Sequence, residues 1–482
     1  MATIYGANTL STGYDVANSL RFNGGSSDDL ERTPSSSGNN NKNTISGWVK
    51  RSRVDEEDFI IYGFGGSANR CKITFLDNNK LQINTIVSSS NNLVYETNRL
   101  FRDVSAWYHI VIAFDSTLGT AGDRVRLYIN GVEETSFATE THMGQNTSNF
   151  LSTSGTPVYI GSQASGNYFD GYMAEFVFID GQQLDPTSFG EFDSNSPNIW
   201  KPKDVSGLTF GTNGFYLDFE DSSSLGNDAA GSNNFTVNNL TSVAQSTDTC
   251  TNNYATFLGE KLMRSNSTFT NGNLKYNSPA SNPVFGSLTT FGVQAGKWYA
   301  EVKYLTGSNH YLILGIADEV FATLNDLGSA TNTDLGKTGS LGHSDAQNST
   351  IAYVVNTGAY RNNNSNTSWG SGGGDGDIIN IALDRDNRKV YFGVNGTYGN
   401  SSNPATGSNG IDISSLVTGD IYFLGVTNDT GSSETTAEFN FGAGATTAIS
   451  SGNSDANGYG NFEYSVPSGY YAWNTKNLAE FG

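Results

Sequence analysis

Cysteine is nearly absent. Cys71 and Cys250 are the two in 482 residues, and they stand far apart. That count excludes a disulfide scaffold, and Cys71, which opens an apparent strand, is expected to be a small buried apolar group. Cations are scarce too: 26 Lys and Arg against 47 Asp and Glu give a formal net charge of −21. A phosphate-binding surface needs clustered cations, and none stands out, so nucleic acid and anionic membrane are not expected partners. The four histidines, His109, His142, His310 and His343, include no pair at metal-ligand spacing. No apolar run approaches the roughly 20 residues of a membrane helix, so no membrane insertion is expected. The opening Met1-Ala2-Thr3-Ile4-Tyr5-Gly6 lacks the basic region and apolar core of a signal peptide. Synthesis in a cytoplasm, with exit by a route other than ordinary secretion, is the expectation.

Turn formers and aromatics are plentiful. The 56 Gly, with abundant Asn, Ser and Thr, imply many turns, and 24 Tyr and 28 Phe supply strand-forming rings. The expected class is all-β: two antiparallel jelly-roll or β-sandwich domains with an Asn/Ser/Gly-rich ordered connector. Each half is long enough to bury roughly 70% of its unfolded surface. The expected organisation is an N-terminal arm (1–17), a sandwich (18–190), a connector contributing strands or acting as a linker (191–250), and a second sandwich (251–482).

The most telling stretch is Gly376-Asp377-Ile378-Ile379-Asn380-Ile381-Ala382-Leu383-Asp384, followed by a polar turn at 384–389 and by Val390-Tyr391-Phe392-Gly393-Val394-Asn395-Gly396. It reads as two strands, the first with one face fully buried. In the first half, 107–114 is apolar on both faces and suits a central strand. In 124–129, Val125, Leu127 and Ile129 face inward, and Asn130-Gly131 signals a hairpin. Residues 183–192 are expected to hold the one short helical turn. Trp48, Trp107 and Trp298 fall in strand patterns and are expected in the core.

The 376–396 stretch resembles the SPRY family. So do Gly296-Lys297-Trp298-Tyr299-Ala300-Glu301-Val302, Leu314-Gly315-Ile316-Ala317, Phe439-Asn440-Phe441-Gly442 and 462–470. The resemblance covers roughly 251–478. Gly47-Trp48, Trp107 with His109, Tyr128-Ile129-Asn130-Gly131, Ile160-Gly161 and 169–176 resemble the laminin-G-like (concanavalin A-like) family over roughly 18–190. The pair, with the Asn-rich connector and the opening Ser19-Leu20-Arg21-Phe22-Asn23, is similar to virion proteins of marine tailed phages. That resemblance implies a virion surface protein assembled in the host cytoplasm. Its arm would dock on other virion proteins, it would bind host cell-surface glycan, and by analogy it would be a homo-oligomer.

Catalytic patterns are missing. Glucan hydrolases of this sandwich class place two carboxylates on one strand face in an E-x-D-x-x-E spacing. Glu191-Phe192-Asp193 lacks the later Glu, and in Asp218-Phe219-Glu220-Asp221 the acids alternate faces. Gly372-Gly373-Gly374 precedes a strand rather than the helix of a phosphate loop. The expectation is no enzyme, no catalytic residue and no cofactor. The laminin-G-like resemblance implies calcium as an option, with Ser27-Asp28-Asp29, 55–58 and Asp123 as acidic loop positions, although nothing in the sequence makes them converge.

Sugar sites combine an aromatic face with hydrogen-bonding side chains. The best such loop is Tyr360-Arg361-Asn362-Asn363-Asn364 with Trp369 after it. Tyr398-Gly399-Asn400 and Tyr168 with Asp170 are lesser candidates. Trp369 has a competing reading, as a cap on the sandwich edge. The functional expectation is an adhesin of tail-fibre or appendage type. The alternatives are a capsid or tail decoration protein and, behind it, a polysaccharide depolymerase.

Overall fold

A computed structural model describes residues 13–482 except 165, 260–266, 279–286, 308–311, 320–349, 363–364, 416 and 429–433. The first twelve residues of the arm, His310, His343, Asn363 and Asn364 lie outside the described residues. The chain divides after Asn252 into two compact units.

Period-two alternation builds the first unit. In Val125–Ile129 the apolar residues are buried and Arg126 and Tyr128 are half-exposed. This strand sits in an antiparallel sheet that runs Val132–Glu133, Val125–Ile129, Trp107–Asp115, Lys42–Arg51, Gly171–Asp180, Ser19–Phe22 and Gln245–Ser246, with Phe215–Leu217 also paired to Gly171–Asp180. Trp107–Asp115 is interior to the sheet, as its two apolar faces require. A second eight-stranded sheet runs from Phe137–Thr141 to Thr236–Asn238. Side chains of both sheets share one apolar core, including Ile45, Ile112 and Met173 from the first and Ile73, Leu81 and Leu93 from the second. That is a β-sandwich.

The stretch 191–250 is woven into this sandwich. Phe215–Leu217, Thr236–Asn238 and Gln245–Ser246 each pair with one of its strands. Its remaining parts, with the small two-stranded sheet Gly190–Phe192 and Trp200–Pro202, cover the outer face of the first sheet, where Trp200 and Cys250 pack with Trp48, Trp107 and Tyr172. Cys71 and Cys250 are both buried free thiols.

Two buried polar clusters lie under this cover. Lys50 Nζ meets Asp248 Oδ2 at 2.8 Å with each side chain 1% exposed, and Trp107 Nε1 donates to Asp248 Oδ1. His109 is stacked between Trp48 and Trp200. Trp200 Nε1, a donor only, lies 2.9 Å from His109 Nδ1, so Nδ1 must accept. The ring proton therefore sits on Nε2 and is donated to Ser46 Oγ at 2.8 Å. Burial lowers the His109 pKa to about 3.

The second unit repeats the plan. A nine-stranded sheet carries, in order, Thr268–Thr270, Lys275–Ser278, Thr435–Asn440, Lys297–Gly307, Ile378–Asp384, Lys389–Val394 and Thr397–Tyr398, with Ile411–Asp412 and Tyr471–Ala472 at its side. A six-stranded sheet runs from Ser287–Leu288 through Tyr422–Asn428, Leu312–Asp318 and Thr350–Val354 to the hairpin Ala359–Asn362 and Ser365–Ser368. Trp298, Ile379, Ile381 and Leu383 face the core with Leu314 and Val426 of the six-stranded sheet. Asn395 (φ 49°) and Gly396 (φ 78°) make the tight turn that folds Thr397–Tyr398 back on Lys389–Val394.

The helical expectation needs correction. Pro186–Ser188 is a short 3₁₀ turn capped by Asp185, as read, but further 3₁₀ turns occur and Thr475–Phe481 is an α-helix capped by Asn474. Seven residues are too few to show an apolar period. No helix among the described residues is long and apolar enough to cross a membrane.

Two outcomes are expected. Lys50→Met strands a buried carboxylate, so urea unfolding of the first unit should lose about 3–5 kcal/mol, and adding Asp248→Leu should recover most of it. The depressed His109 pKa means the unfolded chain binds the extra proton first. Its contribution is therefore complete above pH 6.5 and is lost as pH falls towards about 3. Unfolding midpoints followed across that window should fall for the native chain and flatten for His109→Gln.

Candidate functional site

The hairpin Ala359–Asn362 and Ser365–Ser368 forms the edge of the six-stranded sheet. Tyr360 is half-buried and packs its ring edge-to-face on Trp369, 6.3 Å between centroids. Arg361 Nε donates to Asn366 Oδ1 across the hairpin, and Asn362 Nδ2 donates to the Thr350 carbonyl. Trp369 is only 6% exposed, and its Nε1 donates to the Phe392 carbonyl at 2.9 Å. Its indole is a core group that ties the two sheets.

Trp369 still matters to a site, because it lies beneath the 398–400 loop. A Cβ on Gly399 would come within 2.4 Å of its Cδ1, so only glycine lets this loop approach so closely. Above it opens a cleft of about 420 Å³ lined by Tyr353, Ser371, Phe392, Val394, Tyr398 and Asn400 among others. Tyr398 is half-buried, edge-on to Tyr391, and burial followed by the nearby Glu301 carboxylate pushes its hydroxyl pKa up. Tyr360, Trp369 and Tyr398 are thus brought to one corner of the unit. Ser371, Phe392 and Val394 went unread as site residues. The Asn395-Gly396 turn, which folds the loop back over them, was the usable signal.

Tyr168 and Asp170 belong to the first unit and serve its structure. Asp170 Oδ1 accepts from Gly24 N at 2.8 Å and Oδ2 meets Arg53 Nη1 at 3.0 Å. Arg53 Nη2 also donates to the Tyr168 carbonyl. Burial raises the Asp170 pKa to about 6 despite Arg53. With both oxygens engaged, Asp170 braces loops rather than offering an acceptor to a sugar.

Most of the acidic loop positions are engaged in the same way, but Asp28, which accepts from Asn23 N at Oδ2, has a buried Oδ1 with no hydrogen-bond partner among the described residues. Asp58 is fully buried between Arg51 and Arg53, Asp123 pairs with Arg126, and Asp29 accepts from Ser162 and Asn238. No group of three or more His, Cys, Asp or Glu among the described residues is arranged to hold a metal ion. Glu191 and Asp193 share Lys201, at 3.4 and 3.2 Å, and Asp218 and Asp221 accept backbone N–H groups in turns.

Residues 12–184 match the Laminin_G_3 family model, described as the concanavalin A-like lectin/glucanases superfamily. The first unit has a concanavalin A-like fold. Solved structures similar to this chain include a SAP-like pentraxin from Limulus polyphemus, 15% identical over 36% of this chain and 80% of that one, TM-score 0.27. Another is a putative carbohydrate binding protein from Bacteroides ovatus, 16% identical over 47% of this chain and 60% of that one, TM-score 0.34. The SPRY domain of human HERC1 is 15% identical over 34% of this chain and 87% of that one, TM-score 0.25. No curated protein matches the sequence.

Trp369→Ala should destabilise the second unit by about 3–5 kcal/mol, as expected for a buried large aromatic. Chemical unfolding followed by circular dichroism checks this, and a stability unchanged from the native chain would return the indole to the surface.

Proposed function

We propose that the protein is a non-enzymatic phage virion surface protein, an adhesin of tail-fibre or appendage type, that binds host-surface glycan. The observation that carries the glycan reading is the cleft beside Tyr398. It joins the Tyr398 ring to Asn400 and Ser371 over an apolar floor of Phe392 and Val394. Sugar rings present C–H faces to aromatics and hydroxyls to amides, which is the pairing this wall offers. The lectin/glucanase description of the family matched by residues 12–184 supports the same substrate class.

The absence of a paired-carboxylate strand in the sequence favours binding over hydrolysis, since retaining and inverting cleavage both need two acids flanking one bond. Placement on a virion, docking through the arm and homo-oligomerisation rest on the ordered laminin-G-like and SPRY-like landmarks of the sequence.

The purified chain should bind host cells and block phage adsorption, and Tyr398→Ala should lose at least about tenfold in apparent affinity, near 1.4 kcal/mol. Failure of the native protein both to bind cells and to block adsorption overturns the reading.

A further inference from the structure

A second cleft lies on the outer face of the nine-stranded sheet, away from its core. The C-terminal segment covers part of that face, packing Phe462 and Tyr470 on Tyr299, Ala382 and Tyr391. Beside this cover is a cleft of about 290 Å³. Its floor is the sheet itself. Glu301 and Lys303 of Lys297–Gly307 stand opposite Asn440 and Glu438 of Thr435–Asn440 in register. Thr447, Ile449, Glu463 and Tyr464 form the walls.

The lining residues hold three carboxylates and one ammonium, and Lys275 stands opposite Glu438 on the neighbouring strand, outside the lining. Two of the carboxylates are explained by the fold. Glu301 accepts from Tyr299 Oη, Tyr464 N and Glu463 N, each at 2.8 Å, and burial raises its pKa against those bonds. Glu463 is held by the Ser450 hydroxyl and N–H, which lower its pKa and keep it ionised at neutral pH.

Glu438 is different. It is 4% exposed, it borders the cleft, and its Oε2 has no hydrogen-bond partner among the described residues. A buried polar oxygen left unsatisfied costs about 1–3 kcal/mol, more for a charged group, and native proteins leave few. The carboxylates are not grouped to hold a metal ion. Tyr464, half-buried with its ring against Gly396, adds an aromatic wall. Carboxylates beside an aromatic ring favour a cation that also donates hydrogen bonds.

We infer that this cleft binds a primary ammonium group, with Glu438 accepting its N–H and Tyr464 flanking it. The space admits one compact ligand, so the ammonium would be carried by an amino sugar or by an extended lysine-like side chain. The inference is independent of the glycan cleft beside Tyr398.

Isothermal titration of the full chain with glucosamine, N-acetylglucosamine and n-butylammonium at neutral pH tests it. At least one of the two amines should bind saturably, and N-acetylglucosamine, which carries no charge, should not. Binding of glucosamine alone assigns the amino sugar, and binding of butylammonium alone assigns the side-chain source. Glu438→Gln, nearly isosteric, should weaken the bound amine at least about tenfold, near 1.4 kcal/mol. Lys303→Met, which removes the competing cation, should tighten it severalfold. Silence with both amines, equal binding of N-acetylglucosamine and glucosamine, or no effect of Glu438→Gln with none from Lys303→Met would overturn the proposal.

Discussion

In each unit a large sheet has to bury two faces, and the sandwich core buries only one. The inner faces meet across an apolar core. In both units the outer face of one sheet carries further apolar side chains, Trp48, Trp107 and Tyr172 in the first and Tyr299, Ala382 and Tyr391 in the second. Irregular chain has to cover them. Backbone buried in a cover lacks a ladder to satisfy it, so side chains must supply the missing hydrogen bonds. This accounts for the density of buried Asn, Asp and Glu under the covers, including Asp248, Glu301 and Asp455. Asp455 alone accepts from the backbone of Asn457, Tyr459 and Ala472 and from the Asn477 amide.

Both clefts follow from the same constraint. The one at Tyr398 exists because a tight Asn395-Gly396 turn sends a two-residue strand back across the sheet edge, and Trp369 props the loop that follows. The one at Glu438 exists because the C-terminal cover spans the sheet without filling it. Their shape depends on turn geometry and, at the Glu438 cleft, on carboxylates fixed by backbone N–H groups.

The strands were legible because apolar alternation in 125–129 and 378–383 admits one register against a core. Trp48, Trp107 and Trp298 sit inside such runs and are buried accordingly. Trp369 follows a polar hairpin, Ser365-Asn366-Thr367-Ser368, and that context cannot separate a core ring from a surface ring. Asp170 looked like an available acceptor because its partner Arg53 is over a hundred residues away. Glu438 and Glu301 could be read as strand residues but not as neighbours, since their registry depends on pairing two strands separated by most of the second unit. The covers were least legible. Their residues have no period, and only the faces they protect explain them.

The first cover also fixes what counts as a complete piece of chain. The laminin-G-like match ends at residue 184, yet His109 takes its hydrogen bond from Trp200, Lys50 finds its counterion at Asp248, and Ser19–Phe22 completes its pairing with Gln245–Ser246. During synthesis Lys50 must stay hydrated until Asp248, 198 residues further along the chain, has been made. Closure of this sandwich is therefore a long-range event that follows, rather than accompanies, the making of its individual strands.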